Sequence, residues 1–598
     1  MYERKEALVT DTDTGTELDL EKASFSGPHP NPDADRFAPI PTGIRPTSHA
    51  RQSSSASAHS RIISSTPSHN GYSCDDFPAS SDENPPLASS TNPVPILSSN
   101  SYIVSFTNGD LDPWCPRSLP TPRRWLIVAL VSGASFCVTA ASSIYTSTYT
   151  QMDAEFRSSR ILSTLGLSTF VLGISLGPLF LSPLSEFYGR RPIYLAAWSM
   201  YIIWIIPSAM ARNIETMIVA RFLDGLSGSA FLAVSGGTVS DLFSRNDLQG
   251  PMLLYSMAPF IGPAIGPTVG GFINYYTQWR WTFYVLLIWA FVMGLAIVFL
   301  VPETYRKSGS PQDLAAYFPY GIVPDTAYLP DPVVLRNKAR KMRADTGDDR
   351  WRAPMEKSTK SIRRTVGLSL LRPFQVLFFE PIVLLLCIFS AILLGVLYLF
   401  FGAFPLVFGN THGFNLWQIG LAFNGILVGM LCAAVSDPLW HAVRKRLIRN
   451  LERDTGEPCG SEPEFRLPPA IIGGFLVTIG LFVFAWTINA DVHWIAPVIG
   501  SGIFAAGTVL VFTGIFTFLV DAYPLYAASA LAANAFVRCM FAAAFPLFGN
   551  RMYEDLGYSW ASSLLAFLTV AMLPFPYLFF RYGKKIRGHS RFARAWSE

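Results

Sequence analysis

The 598-residue chain is 50% hydrophobic and only 15% charged, against about 25% charged residues in an ordinary soluble domain. With a mean hydropathy of +0.31, its apolar side chains exceed what a polar surface can cover in water, so a wholly soluble protein is excluded. The net charge of +4 conceals an uneven division: residues 1–122 carry 8 basic and 15 acidic groups, residues 123–598 carry 38 and 27.

Residues 1–122 are rich in Ser and Pro, notably over 51–68 and 84–99, and hold no periodic apolar segment. Such a composition buries too little surface to offset the entropy of ordering, which predicts a disordered tail. The opening Met-Tyr-Glu-Arg-Lys-Glu lacks the apolar core of a signal peptide, so the first membrane segment is expected to act as its own signal. The seven cysteines never form Cys-x-x-Cys, which argues against a disulfide framework or a structural zinc site. No histidine falls inside an apolar run, and no cofactor is expected.

From Trp125 onward there are twelve apolar runs, at 125–148, 161–184, 193–211, 214–236, 251–273, 280–301, 381–404, 416–436, 469–488, 494–519, 525–548 and 560–580. Each approaches the roughly 20 residues that a helix needs to cross about 30 Å of hydrocarbon. The expectation is an all-α polytopic membrane protein of two six-helix bundles, 123–301 and 381–582. A polar central loop over 302–380 joins them, and a short tail follows over 583–598.

Lys and Arg stay on the cytoplasmic side of a membrane. With the N-terminus inside, the six outer loops carry five basic residues (157, 160, 212, 280 and 551), whereas the inner segments from Arg123 onward carry 31. Both termini are therefore expected in the cytoplasm, and only Arg221 and Arg538 remain inside spans. The halves also echo each other. Ser185-Glu186 precedes Arg190-Arg191 after the second run, Ser436-Asp437 precedes Arg444-Lys445-Arg446 after the eighth, and Asp241 and Asp521 close the fourth and tenth. Two bundles of duplicated pattern around a midplane cavity suit a carrier that rocks between two faces.

In the fourth run, Arg221 and Asp224 share a helical face with Gly228. Asp224 lies ten residues in from Ile214, or about 15 Å at 1.5 Å per residue. A carboxylate at that depth is a functional candidate by default. Either the pair answers to protons, or it is a static pair that locks the bundle. In the fifth run, Gly262, Gly266 and Gly270 advance four residues at a time, within Gly262-Pro263-Ala264-Ile265-Gly266-Pro267-Thr268-Val269-Gly270-Gly271. They form a bare stripe for close backbone approach, while Pro263 and Pro267 bend the helix.

That last segment matches the antiporter signature of proton-driven exporters, and the sequence over most of 125–582 resembles the fungal twelve-span drug:proton antiporters of the major facilitator superfamily. Ser182-Pro183-Leu184-Ser185-Glu186-Phe187-Tyr188-Gly189-Arg190-Arg191-Pro192 looks like that superfamily's loop signature. Ser182, Glu186 and Phe187 stand where the family has Gly, Asp and a basic residue. The resemblance implies that the loop, through Glu186, Gly189, Arg190 and Arg191, steadies one of two conformations. Arg221 centres a further family signature. Family members often carry Gln where this chain has Asp224, so Asp224 draws its candidacy from depth and neighbour. Pro302-Glu303-Thr304 closes the sixth run in a family manner, and 335–343 reads as a basic helix along the cytoplasmic face.

Arg538 and Asn534, one turn apart, are candidates for the substrate cavity together with Asn424. Arg538 either counters a substrate anion or pairs with an acid such as Asp521 or Asp437. Phe389, Tyr398, Phe400, Phe401 and Phe404 offer contacts to planar substrates, unless they face lipid or fill packing. Gly173-Ile174-Ser175-Leu176-Gly177 imitates a hydrolase nucleophile but lies in an apolar helix. Gly500-Ser501-Gly502 imitates a dinucleotide loop with no strand before it.

The resemblance implies non-enzymatic export of small amphipathic compounds (drugs, toxins, polyamines or secondary metabolites) in exchange for protons. The implied setting is a monomer in the plasma or vacuolar membrane, without nucleic acid. Uptake or facilitated diffusion on the same fold, and a non-transporting receptor, are the alternatives.

Overall fold

A computed structural model describes residues 115–243, 249–304, 333–347, 362–456, 462–523 and 526–588, together with Asp247, Trp351 and Ser590. The tail expected over 1–122 lies outside the described residues as far as position 114. Every regular element among the described residues is helical.

Among the described residues, twelve helices are long and apolar enough to cross a membrane. Spans 1–6 are Thr121–Phe156, Arg160–Ser185, Arg190–Ala209, Ile214–Leu242, Gly250–Tyr276 and Arg280–Leu300. Spans 7–12 are Pro381–His412, Leu416–Asp454, Pro468–Thr487, Ile495–Ala522, Ala527–Leu556 and Tyr558–Arg587. Several outrun their apolar segments, because a helix does not stop where hydrocarbon would stop. Span 8 carries Arg444, Lys445 and Arg446 on the same helix until Gly456, at φ +70°, ends it with a left-handed cap. Alternation of direction gives a terminal face, where span 1 begins and span 12 ends, and an opposite distal face.

The polar reading of 302–380 concealed structure. Helices occur at Val333–Thr346, which includes the expected basic helix, and at Ile362–Phe379. The latter went unforeseen because Arg363, Arg364 and Arg372 offset its apolar half, Leu370–Phe379. Its Phe374 meets Phe536 of span 11 edge-on at 5.2 Å.

Packing within one half repeats in the other. Span 1 lies against 5, 2 against 4 and 3 against 6; adding six to each number gives 7 against 11, 8 against 10 and 9 against 12, and all six contacts are present. Between the halves, span 2 meets 11 and span 5 meets 8, again one pair generated from the other by exchanging halves. That is the pseudo-twofold relation of two six-helix bundles. Span 6 exposes Ile288, Phe291, Val292 and Phe299, a continuous apolar surface of the sort that faces lipid.

Each face is tied by charge. On the distal face Arg280 donates to both carboxylate oxygens of Glu155 at 2.7 and 2.9 Å and to the carbonyl of Ala211 at 3.0 Å. On the terminal face Arg587 holds Glu464 through two bonds of 2.9 Å. There too, the Tyr523 hydroxyl donates to Glu380 at 3.0 Å. Burial first, and the Glu380 charge second, push the Tyr523 phenol above its usual range and keep that proton in place.

Spans 9 and 10 approach backbone to backbone. A Cβ on Gly480 would lie 2.8 Å from the Gly500 carbonyl oxygen, and one on Gly473 would lie 2.7 Å from that of Gly507. Gly480→Leu is therefore expected to lower the yield of folded protein and its melting temperature in detergent. Gly367→Ala, in open space within a helix, should leave both unchanged or slightly improved. Equal melting of the two variants would contradict the close approach.

Candidate functional site

Span 4 begins at an Asn213 cap, whose side chain accepts from the Thr216 amide at 3.1 Å. Two and three turns on, it brings Arg221 and Asp224 into the protein interior, at 0% and 1% side-chain exposure. Arg221 Nη1 meets Asp224 Oδ2 at 3.2 Å, and Nη2 donates to the Ala141 carbonyl of span 1 at 2.8 Å. The guanidinium also lies 3.9 Å from the Phe170 ring centroid and 4.8 Å from that of Tyr145. Desolvating such a pair costs several kcal/mol per ion, and a cation–π contact returns only about 0.5–2 kcal/mol. The ion pair and the carbonyl bond must therefore supply most of the compensation. Arg221 is anchored to three helices, whereas Asp224 is held by one oxygen. Its Oδ1 is buried without a hydrogen-bond partner.

Arg538 of span 11 is set quite differently. Its guanidinium lies against Phe260 of span 5 and Phe512 and Phe516 of span 10, at 5.7, 5.2 and 4.9 Å from the centroids. Nε and Nη1 are buried with no partner. Of the two alternatives for Arg538, the ion pair with Asp521 or Asp437 does not form: Asp521 is taken by Arg466 at 2.6 Å and Arg444 at 3.6 Å, and Asp437 meets His441 at 3.2 Å. Three ring contacts at about 0.5–2 kcal/mol each fall short of the cost of an unpaired buried cation. One turn before it, Asn534 donates to Ser390 at 2.7 Å and leaves the other end of its amide unpaired. Asn424 sits elsewhere, on span 8 beside Thr268, whose hydroxyl is 3.4 Å from its side-chain oxygen.

The loop between spans 2 and 3 turns at Gly189, φ +96°, a backbone that favours glycine. Space demands it as well, since a Cβ there would stand 2.5 Å from Glu303 Oε2. Glu303, arriving from the end of span 6, accepts from the amides of Arg190 and Arg191 at 2.9 and 3.2 Å, capping the positive end of span 3. The Arg190 side chain reaches Ser185 at 2.7 Å and Asp241 at 3.4 Å. The echo between halves is thus a repeated contact, Arg190 to Asp241 and Arg444 to Asp521. The side chain of Glu186 lies outside the described residues.

The span 5 stripe packs on span 1. Gly262, Gly266 and Gly270 face Thr139, Ser143 and Ser147, which advance by the same four residues. A Cβ on Gly266 would lie 2.8 Å from the Ala140 carbonyl oxygen. Span 5 carries Pro263 and Pro267 inside its helix and turns Gly271 toward span 8, where a Cβ would lie 2.8 Å from the Leu416 carbonyl oxygen. Beside it Thr268 donates to the Gly420 carbonyl at 2.8 Å. The distal part of the interface between the halves is therefore closed at backbone distance.

Deeper in the interface, the Ser142 and Tyr398 hydroxyls meet at 3.0 Å, and Ser175 donates to the Phe536 carbonyl at 3.1 Å. The five span 7 aromatics are all buried within the protein. Phe400 and Phe404 pack on Phe484 at 5.0 and 5.7 Å, whereas Phe401 lines a cavity of about 10 Å³ with Tyr149 of the other half. A second, wholly apolar cavity of about 120 Å³ lies among spans 1, 5 and 6. Both are smaller than the roughly 300–1,000 Å³ that organic ligands occupy.

A family model described as Major Facilitator Superfamily matches residues 131–546. The chain belongs to that superfamily. It is 52% identical over 494 residues to efflux pump atB of Aspergillus terreus, across 83% of this chain and 90% of that one. It is 38% identical over 496 residues to the probable drug/proton antiporter YHK8 of Saccharomyces cerevisiae, across 82% and 90%. Among solved structures, the superfamily's proton:xylose symporter XylE shares the fold, with a TM-score of 0.51 at 14% identity across 77% of this chain and 97% of that one.

The capping role of Glu303 and the rings that receive Arg538 were not legible in the sequence. The first was visible only as Pro302-Glu303-Thr304 after a span. The second required knowing which faces of spans 5, 10 and 11 converge. Glu303→Ala is expected to lower the melting temperature of purified protein, with a cost of about 1–3 kcal/mol for lost hydrogen bonds to a charged group. Glu303→Gln keeps one acceptor and should lose less. Unchanged melting in both would show that the cap contributes nothing to stability.

Proposed function

We propose that the chain is a monomeric plasma-membrane exporter that moves small amphipathic organic compounds outward as protons move inward, by alternating access of the bundles 123–301 and 381–582. The excess of basic residues on the terminal face supports a cytoplasmic position for that face and for both termini. In that orientation the backbone contacts of span 5 with span 8 close the path to the outside, and the Arg190–Asp241 and Arg444–Asp521 pairs sit at the cytoplasmic ends of the two halves. The names of the relatives, efflux pump and probable drug/proton antiporter, support the direction and the coupling ion.

The observation that carries the proton assignment is the buried, unpartnered Oδ1 of Asp224. An ionised carboxylate in a low-dielectric interior needs its acceptors filled. Asp224 has one oxygen filled by Arg221 and the other open to a proton. When the halves rock apart, the Ser142–Tyr398 contact next to Ala141 opens, and the solvation of Asp224, on which its hold on a proton depends, changes with it. Proton affinity and conformation are then linked, as a coupled carrier requires.

Asp224→Asn is expected to abolish accumulation driven by a pH gradient in proteoliposomes, while exchange at equal pH on both sides survives. The tracer is a labelled compound to which expression of the protein confers resistance. Full uphill transport by Asp224→Asn would remove Asp224 from the coupling. Failure of the variant to fold would assign the pair a static, locking role.

A further inference from the structure

The two intramembrane arginines solve the same problem in opposite ways, and the difference says what the second one awaits. Arg221 has a carboxylate, a carbonyl and two rings, and leaves only Nε unpaired. Arg538 has rings alone, with Nε and Nη1 buried and unpaired. The ionisable side chains that act on it are Cys539, Tyr255, Tyr398 and Cys387, none of them an acid that is charged at neutral pH. The carboxylates that the pattern of the sequence offered, Asp437 and Asp521, are engaged elsewhere.

The place of Arg538 is as telling as its lack of partners. Phe260 belongs to the N-terminal bundle, and Phe512, Phe516 and Arg538 itself belong to the C-terminal one. Phe260 and Phe512 stack across the interface at 5.1 Å, 25° from parallel. The guanidinium thus lies at the seam that alternating access would open. It has flat apolar faces beside it and, one turn along the same helix, an amide with one end unpaired at Asn534. A cation that faces a seam and has no counterion among the described residues is arranged to receive an external one.

We propose that the substrate is an organic anion, an amphipathic compound with a planar apolar body and a carboxylate group, and that Arg538 is its counterion. The carboxylate takes Nε and Nη2, the donors on one edge of the guanidinium, in the two-pronged geometry that suits it, and Nη1 is left for a second acceptor of the substrate. Its apolar body replaces the stack of Phe260 on Phe512, and the free end of the Asn534 amide contacts a polar substituent. The physiological direction of this binding rests on the export reading; the binding itself does not.

The test uses purified full-length protein and three aromatic carboxylates of rising size: benzoate, naphthoate and anthracene carboxylate. Each is set against its uncharged amide and its cationic methylamine. Binding is read by thermal stabilisation in detergent. In the wild type at least one carboxylate should bind about tenfold or more tightly than its amide, the least that a hydrogen-bonded charge pair would give. Arg538→Gln should abolish the preference, and Arg538→Lys, which keeps the charge without the fork, should retain part of it.

Equal affinity of the wild type for carboxylates and amides across all three sizes overturns the proposal, whether or not the variants fold. So does a carboxylate preference that survives in folded Arg538→Gln. Failure of the export reading looks different. In that case carboxylates bind in an Arg538-dependent manner but none accumulates in proteoliposomes under a pH gradient. Gradient-driven accumulation of amides or methylamines, with carboxylates excluded, would leave export standing and remove the anion site.

Discussion

A charge placed in hydrocarbon must find a partner, and this protein places two arginines there. Arg221 and Arg538 are costly to bury, so the structure around them is constrained to compensate. For Arg221 that compensation draws span 1, through the Ala141 carbonyl, and span 2, through Phe170, onto span 4. Three helices of one bundle are fixed relative to a single guanidinium. Asp224 completes the arrangement but is bound through only one of its oxygens. The residue that holds the helices together and the residue proposed to carry the proton are therefore different.

Around these charges the helices meet through residues with almost no side chain. Span 5 lays three glycines on the hydroxyl-bearing stripe of span 1, and its opposite side meets span 8 at Gly271 and Gly420. Apolar side chains gain little by meeting each other in lipid, so small residues and close van der Waals contact are what hold spans together. Such surfaces slide or part without withdrawing long side chains from sockets. The contacts of span 2 with 11 and span 5 with 8 exchange under the pseudo-twofold, so the same construction serves each side of the interface. At the ends, the repeated Arg190–Asp241 and Arg444–Asp521 pairs and the Glu303 cap provide polar latches of modest strength.

Much of this was legible in the sequence because the bilayer imposes its own arithmetic. Span number, the six-plus-six division and the relation of the halves follow from run length and from the repeated Arg and Asp positions. The Gly262, Gly266 and Gly270 stripe could be read as a packing face from its spacing alone. Pairing across spans could not. Asp521 and Asp437 were reasonable partners for Arg538 on composition, yet Arg466, Arg444 and His441 lie closer to them once the helices are assembled. The helix Ile362–Phe379 was hidden by arginines averaged into an otherwise apolar stretch. Two deceptive motifs find ordinary physical explanations. Gly173 and Gly177 give span 4 its close approach to span 2, Ser175 bonds across the seam to span 11, and Gly500 makes room for span 9.

The central claim is that substrate binding and the protonation of Asp224 are linked, so that each alters the other by the same free energy. It is tested most directly by adding a transported compound to purified protein in weakly buffered detergent solution and recording proton release with a pH-sensitive dye. The account predicts a release that saturates with substrate and disappears in Asp224→Asn while substrate still binds. Identical proton release from wild type and variant would place the coupling proton on another group, and substrate binding with no proton release at any pH would contradict antiport itself.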